Sequence, residues 1–238
     1  MFSIKRLSIL IITAVIITAA VGAQTGRERT VEESYLMEPI EIMIIKETAS
    51  SDSRTRKMIS LDYIREALDR GSTNDDIRST LEYLATESTR TITRENGKVI
   101  NNYPEIRRMA VRYLGQIGTE EARKSLILVI QAETEPIVLH EAFLALGTIG
   151  TNENNETVTY MAIVMGRFIN VNVRTNDLNL MALAYVETIE KIAQKNNGVN
   201  SQEAVRVLLN INNETNFSLP IRTQAMQLIS TLRSYGAN

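Results

Sequence analysis

The sequence predicts an all-α protein, an α-solenoid of stacked helical hairpins, on three observations. Residues 103–119 can be laid on residues 135–151 at a constant offset of 32, and self-similarity at a period of roughly 20 to 50 residues is the signature of stacked repeats. Within each copy the apolar residues recur at helical spacing: Ile106, Ala110, Leu114 and Ile117 in the first, Val138, Ala142, Leu146 and Ile149 in the second. The chain is 44% hydrophobic but only 5% aromatic, without Trp. That suits helices packed through Leu, Ile, Ala and Met better than a β-rich core.

The elements follow in order along the chain. Lys5 and Arg6 precede an apolar run from Leu7 to Ala23, and Val21-Gly22-Ala23 offers short residues where a signal peptidase reads. Residues 1–23 are therefore expected to be a cleaved signal peptide with Gln24 as the new N-terminus. The alternative is a retained N-terminal membrane anchor, for which 17 residues is at the short limit. Residues 24–52 are expected to form a polar segment and a cap: Thr25 to Ser34 is charged and mobile, while Pro39 to Ile45 is apolar enough to dock on the first hairpin, with a strand left open for that run. The solenoid itself is expected over 53–238. It begins with Lys57, Ser60, Ile64 and Ala67 at repeat spacing. Thr73-Asn74-Asp75-Asp76 reads as a capping box opening a helix with Ile77, Leu81 and Leu84 on one face.

Next, Asn96-Gly97 lies between partly alternating residues in 91–100, a strong short signal for a type I′ β-hairpin. It reads either as a loop closing two helices or as a small projecting ribbon inserted into the stack. The repeat unit proper starts at Pro104, where a first-turn proline loses no hydrogen bond. It stops at Gly118, where a left-handed residue ends the helix. Thr119 can cap the partner helix, whose apolar residues are Ala122, Leu126, Val129 and Ile130. Gly115 and Gly147 are mid-helix glycines, each costing about 1 kcal/mol against alanine, and mark places where a neighbouring helix comes close. Asn154 or Asn155 caps a helix carrying Val158, Met161, Ala162, Met165 and Phe168. A weaker copy with Ala182, Val186 and Ile189 follows 40 residues on. Ser201 caps a helix with Ala204, Val205, Leu208 and Leu209, and a last copy runs from Pro220 with Ile221, Ala225, Ile229 and Leu232 inward. The count is four helical pairs and a final single helix that caps the stack.

The pattern Pro-x-Ile-Arg-x-x-Ala-x-x-x-Leu-Gly-x-Ile-Gly at Pro104 to Gly118 resembles the HEAT family of helical repeats, in particular its shorter bacterial HEAT-like form. The resemblance is specific over 103–151 and fades on both sides. It implies a curved surface for protein–protein interaction and fixes no substrate.

Charge and residue types narrow the function further. Loss of Lys5 and Arg6 takes Lys plus Arg from 26 to 24 against 28 Asp plus Glu, a net charge near −4. No basic run is long enough to track a phosphate backbone, so no nucleic-acid partner is expected. There is no cysteine, which excludes disulfides and a lipidated N-terminus and fits a bacterial periplasm. The one histidine, His140, has neither a metal-ligand set nor a nucleophile beside it. Asp75/Asp76 and Glu120/Glu121 sit where helix N-termini favour negative charge. No catalytic, cofactor or metal residues are expected, and after signal cleavage no membrane insertion. The expected function is an exported, non-catalytic scaffold or adaptor for another protein, in the periplasm or envelope. The alternatives are a structural component of an envelope or appendage assembly, and an enzyme or lyase-type subunit. Candidate partner-binding residues fall in three groups: Arg94, Asn96 and Lys98 on the ribbon; Arg107, Arg108 and Arg112 on the first clear repeat; and Asn170, Asn172 and Arg174 on the connection over 168–176, since long connections on one side of such a stack often line its binding face.

Overall fold

The computed structural model describes residues 31–90, 92–171 and 173–235, with side chains described from 38 onward. The expected signal segment over 1–23 and residues 24–30 lie outside the described residues. The chain divides into two compact units, Met1–Ile40 and Glu41–Asn238. Of the first, residues 31–40 are helical, so the run from Val31 to Ser34 is ordered rather than coil.

Ten α-helices and one two-stranded hairpin are found among the described residues. Helix α1 is Val31–Ser50, so the run at 39–45, where a strand was open, is helical. In the second unit its Ile45 and Ala49 are buried, and the carbonyls of these two residues accept from Ser60 Oγ and Lys57 Nζ. Helix α2, Arg54–Asp69, buries Lys57, Ser60, Ile64 and Ala67, the four positions expected to face inward. Helix α3, Asp75–Thr86, starts one residue later than the capping box places it: the cap is Asn74, whose Oδ1 accepts from the Ile77 N–H at 2.9 Å. Asparagine caps as well as threonine does, and here it stands nearer the free amides.

Strands β1 (Arg94–Glu95) and β2 (Lys98–Val99) pair antiparallel, Arg94 opposite Val99 and Glu95 opposite Lys98. Asn96 and Gly97 both have positive φ, 49° and 78°, the requirement of a type I′ turn.

Helices α4 (Pro104–Ile117) and α6 (Pro136–Ile149) are the two repeat copies, alike in structure as in sequence. Each begins with proline and ends at a left-handed glycine, Gly118 (φ 71°) or Gly150 (φ 69°), whose N–H donates to the Leu114 or Leu146 carbonyl. Between them, α5 (Glu120–Ala132) is capped by Thr119 Oγ1, which accepts from the Ala122 N–H. A 3₁₀ turn at Glu153–Asn155 leads into α7, Glu156–Ile169. Neither expected asparagine caps α7 with its side chain. Asn154 and Asn155 are both left-handed, and Asn152 Oδ1 accepts from the Val158 N–H instead. Helices α8 (Thr175–Lys195), α9 (Gln202–Asn213, capped by Ser201 Oγ) and α10 (Leu219–Tyr235) complete the chain.

Packing is by alternation. Helix α4 contacts α2 and α6, α6 contacts α8, and α8 contacts α10; in a second row α3 contacts α5, α5 contacts α7, and α7 contacts α9. The rows meet through α3 with α4, α5 with both α4 and α6, α7 with α8, and α9 with α10. One apolar core runs between them, from Ile45 through Leu114, Leu146 and Ile189 to Leu232. The mid-helix glycines are where the first row closes up. A Cβ on Gly115 would stand 2.7 Å from the Ala145 Cβ, and one on Gly147 would stand 3.1 Å from Thr188. Ala110 and Ala142 are fully buried in the same layer.

Candidate partner surfaces

The three residue groups picked out by sequence have different fates. The ribbon is exposed along its length from Arg94 to Val99; Arg94 reaches back to the Gly97 carbonyl, and the Ile100 N–H donates to the Thr93 carbonyl to close the loop. Its cations and the Asn96 amide are therefore displayed on a short hydrogen-bonded turn.

The arginines of α4 separate. Arg107 lies one residue past the inward Ile106, a rotation that carries it into the interior between α4 and the end of α5. Its guanidinium is buried and forked on the buried Glu133 carboxylate, Nε to Oε2 at 2.7 Å and Nη2 to Oε1 at 3.3 Å. Glu133 Oε1 also accepts the Thr134 and Glu135 backbone N–H groups. Arg107 therefore joins α4, the C-terminus of α5 and the turn into α6, and presents no charge to solvent. Arg108 and Arg112, one turn apart on the outer face, both donate to Glu141 of α6 at 2.8 to 3.0 Å. Burial raises the Glu141 carboxyl, but the bonds from Arg112 and Arg108 outweigh it and hold the group below the usual carboxylate range. The two guanidiniums remain part-exposed, so this is a paired, surface-edge cluster.

On the connection after α7, Asn170 Nδ2 donates to the Gly166 carbonyl and Arg174 pairs with Asp177 at 2.7 Å. Asn172 lies outside the described residues. Among the described residues no hydrogen bond or ion pair joins the ribbon, the α4 cluster and this connection.

Other polar groups act between helices. Arg123 of α5 is buried and holds Glu120, Glu156 and Thr157, the last two on α7. Lys57 is buried against Glu87 at 2.8 Å with the Tyr83 ring 5.4 Å away. His140, on the outer face of α6, has a buried Nδ1 without a partner; burial holds its pKa below the usual histidine value. Among the described residues no group of three or more His, Asp or Glu could hold a metal ion, and no helix is long and apolar enough to cross a membrane.

One surface feature escaped the sequence reading. Tyr83 on α3, Leu128 on α5, Ile163 on α7 and Leu209 on α9 are each between 37% and 56% exposed, amid buried neighbours. They hold similar places: Tyr83, Leu128 and Ile163 each stand just before an inward pair, Leu84 and Ala85, Val129 and Ile130, and Val164 and Met165, while Leu209 follows the buried Val207 and Leu208 and is separated from the buried Ile211 by the exposed Asn210. The result is one outward apolar side chain per helix along the second row. Leu209, read from the sequence as one of the apolar residues of its helix with Ala204, Val205 and Leu208, turns outward, while Val207 and Ile211 are buried instead; the other three were present as an extra apolar residue in each partner helix, which looks incidental until adjacency is known. Beside Ile163 opens a cavity of about 480 Å³ lined by Glu153, Asn154, Glu156, Thr159 and Tyr160. A cavity of about 680 Å³ lies between the turns after α6 and α8, lined mainly by Asn152, Asn155, Asn196, Asn197 and Asn200 with Tyr235. Those amides are largely engaged in joining the turns, Asn196 to the Gly150 carbonyl and Asn155 to the Asn200 N–H. Comparison with protein-family models, with curated proteins and with solved structures found no match.

Proposed function

We propose that the chain is an exported, non-catalytic scaffold or adaptor, a solenoid of HEAT-like hairpins that holds another protein in a bacterial periplasm or envelope. The observation that carries this reading is the alternation of contacts, in which helices two apart in sequence lie side by side in each row. Lateral stacking of that kind sets equivalent residues of successive helices beside one another, and a partner spanning several helices can engage them together.

The test is in-cell crosslinking of the full chain followed by pull-down and identification of a stoichiometric partner. The mature protein is expected in the periplasmic fraction with Gln24 at its N-terminus. An intact N-terminus in washed membranes, with no protein crosslinked from any surface position, defeats the reading. Ribbon and arginine edge are checked in the same assay: replacing Thr93–Lys98 by a short Gly-Ser link is expected to reduce capture if the partner crosses that edge, and Arg108→Glu to slow association in a salt-sensitive way.

A further inference from the structure

We propose that the second row of helices receives an extended, basic segment of a partner protein, with an apolar side chain at every third position and a cation between them. This rests on the adaptor reading above and supplies the chemistry of the partner. Three features carry it.

The first is the line of Tyr83, Leu128, Ile163 and Leu209, one rung on each of four helices that pack in series. The second is its pitch. Packed helices lie roughly 8 to 10 Å apart. A polyproline-type chain rises about 3.1 Å per residue with three residues per turn, so it presents the same face every ~9 Å. Side chains i, i+3, i+6 and i+9 of such a segment meet the four rungs in order, and roughly ten residues span the row. An α-helical ligand laid across the row fits less well, because its like-facing side chains recur every ~5.4 Å or, over two turns, every ~10.5 Å, above the spacing of packed helices.

The third feature is charge. Asp76, Glu121 and Glu156 each stand seven residues before their rung, and on the fourth helix Gln202 and Glu203 occupy that place. Seven residues is two helical turns, so these groups share the face of the rungs about 10 Å toward the helix N-termini. A carboxylate edge thus runs parallel to the apolar line. Asp76 pairs with Lys46 and Glu156 with Arg123, while Glu121 and Glu153 have no ion-pair partner among the described residues. Lys124 lies between the two lines and leans on Glu120 at 4.0 Å. The cavity beside Ile163 has two carboxylates, a tyrosine ring and no cation in its lining, an environment suited to a lysine or arginine of the bound segment. A polyproline-type chain offers three faces: one meets the rungs, one carries its cations to the acidic edge, and the third stays in water.

The probe is a fluorescein-labelled ten-residue peptide with Leu at every third position and Pro-Lys between, titrated into the full chain by fluorescence anisotropy. Binding is expected to weaken at least tenfold with Leu128→Asp plus Ile163→Asp, and also with the milder Leu128→Gln plus Ile163→Gln, helical content being unchanged because both residues are exposed. Glu121→Lys plus Glu153→Lys is expected to weaken binding and flatten its salt dependence. A peptide with Glu in place of Lys, or with Leu at every second position, is expected to bind at least tenfold more weakly. Equal binding of these control peptides, or unchanged binding by both apolar variants, overturns the proposal. So does a dimer of the chain that Ile163→Asp dissociates, which would give the row to a second copy. A photocrosslinker at position 163 separates the two levels: if it captures nothing while one at position 98 captures a partner in cells, this proposal fails and the adaptor reading stands.

Discussion

Gly115 and Gly166 are both mid-helix glycines, and the space above each sets opposite expectations. A methyl group at Gly115 would meet the Ala145 Cβ at 2.7 Å and its backbone Cα at 2.9 Å, whereas one at Gly166 would find only Val207 Cγ2 at an ordinary 3.7 Å. Gly115→Ala is therefore expected to overpack the α4–α6 contact and cost about 1 to 3 kcal/mol, read as a fall in the urea midpoint. Gly166→Ala is expected to raise stability by up to about 1 kcal/mol through helix propensity alone. The reverse order would mean that α4 and α6 are not packed on Gly115. His140 supplies a pH dependence. Burial holds its folded pKa below its ordinary value, so the unfolded chain binds the proton more readily. Stability from this group is then complete above about pH 6.5 and is lost as pH falls from there toward the folded value. His140→Gln is expected to flatten that segment of the stability–pH curve; a parallel slope in the variant would assign the effect to other groups. Glu141 acts in a separate window. Its folded pKa is depressed, so its contribution is present above the unfolded carboxylate value near 4.3 and is lost below it. The glycine close approaches were legible in the sequence because a helix-interior glycine needs a reason. The bare Nδ1 was not, since it depends on what covers one edge of a ring.

At the scale of elements, most helix starts and stops could be read from single residues, because caps and left-handed glycines act within one turn of where they stand. The hairpin was legible for the same reason: both central φ angles are positive and Asn-Gly tolerates them. The ion pairs were not. Arg107, Arg108 and Arg112 look alike in sequence, yet one is interior because a single residue step rotates the side chain by about 100°, and their carboxylates lie 26 to 33 residues away on other elements. Arg107→Met would leave Glu133 buried without its cation, and is expected to cost about 3 to 5 kcal/mol, measured by urea unfolding. A loss below 1 kcal/mol would show that the turn after α5 opens to water. By contrast, exchanging Thr93–Lys98 for a Gly-Ser link is expected to leave the melting temperature nearly unchanged, since residues 94–99 are exposed; a drop of many degrees would make the ribbon part of the packed helices.

Over the described residues of the second unit, each interior helix has neighbours on two sides, whereas the main contacts of α10 are with α8 and α9. Hydrogen exchange is accordingly expected to reach the amides of α10 well before those of α6; simultaneous exchange would mean a single cooperative block. The contact from α4 to α6 is fastened by Arg108 and Arg112 on Glu141, and the contact from α6 to α8 by the Thr188 hydroxyl donating to the Phe143 carbonyl at 2.9 Å. The repeat copies are alike in their apolar letters but not at these positions. At the 32-residue offset, His140 and Leu144 of α6 stand where Arg108 and Arg112 stand on α4, and 40 residues beyond Glu141 the chain has Met181. These two junctions are therefore fastened by different side chains. A chain in which α4 settled on α8 while folding would set two guanidiniums against methionine, so near-identical neighbours are kept from mispairing. A second copy of α4 laid beside the first would go unfastened, because at the 32-residue offset Met109 stands where α6 offers Glu141 to the two arginines.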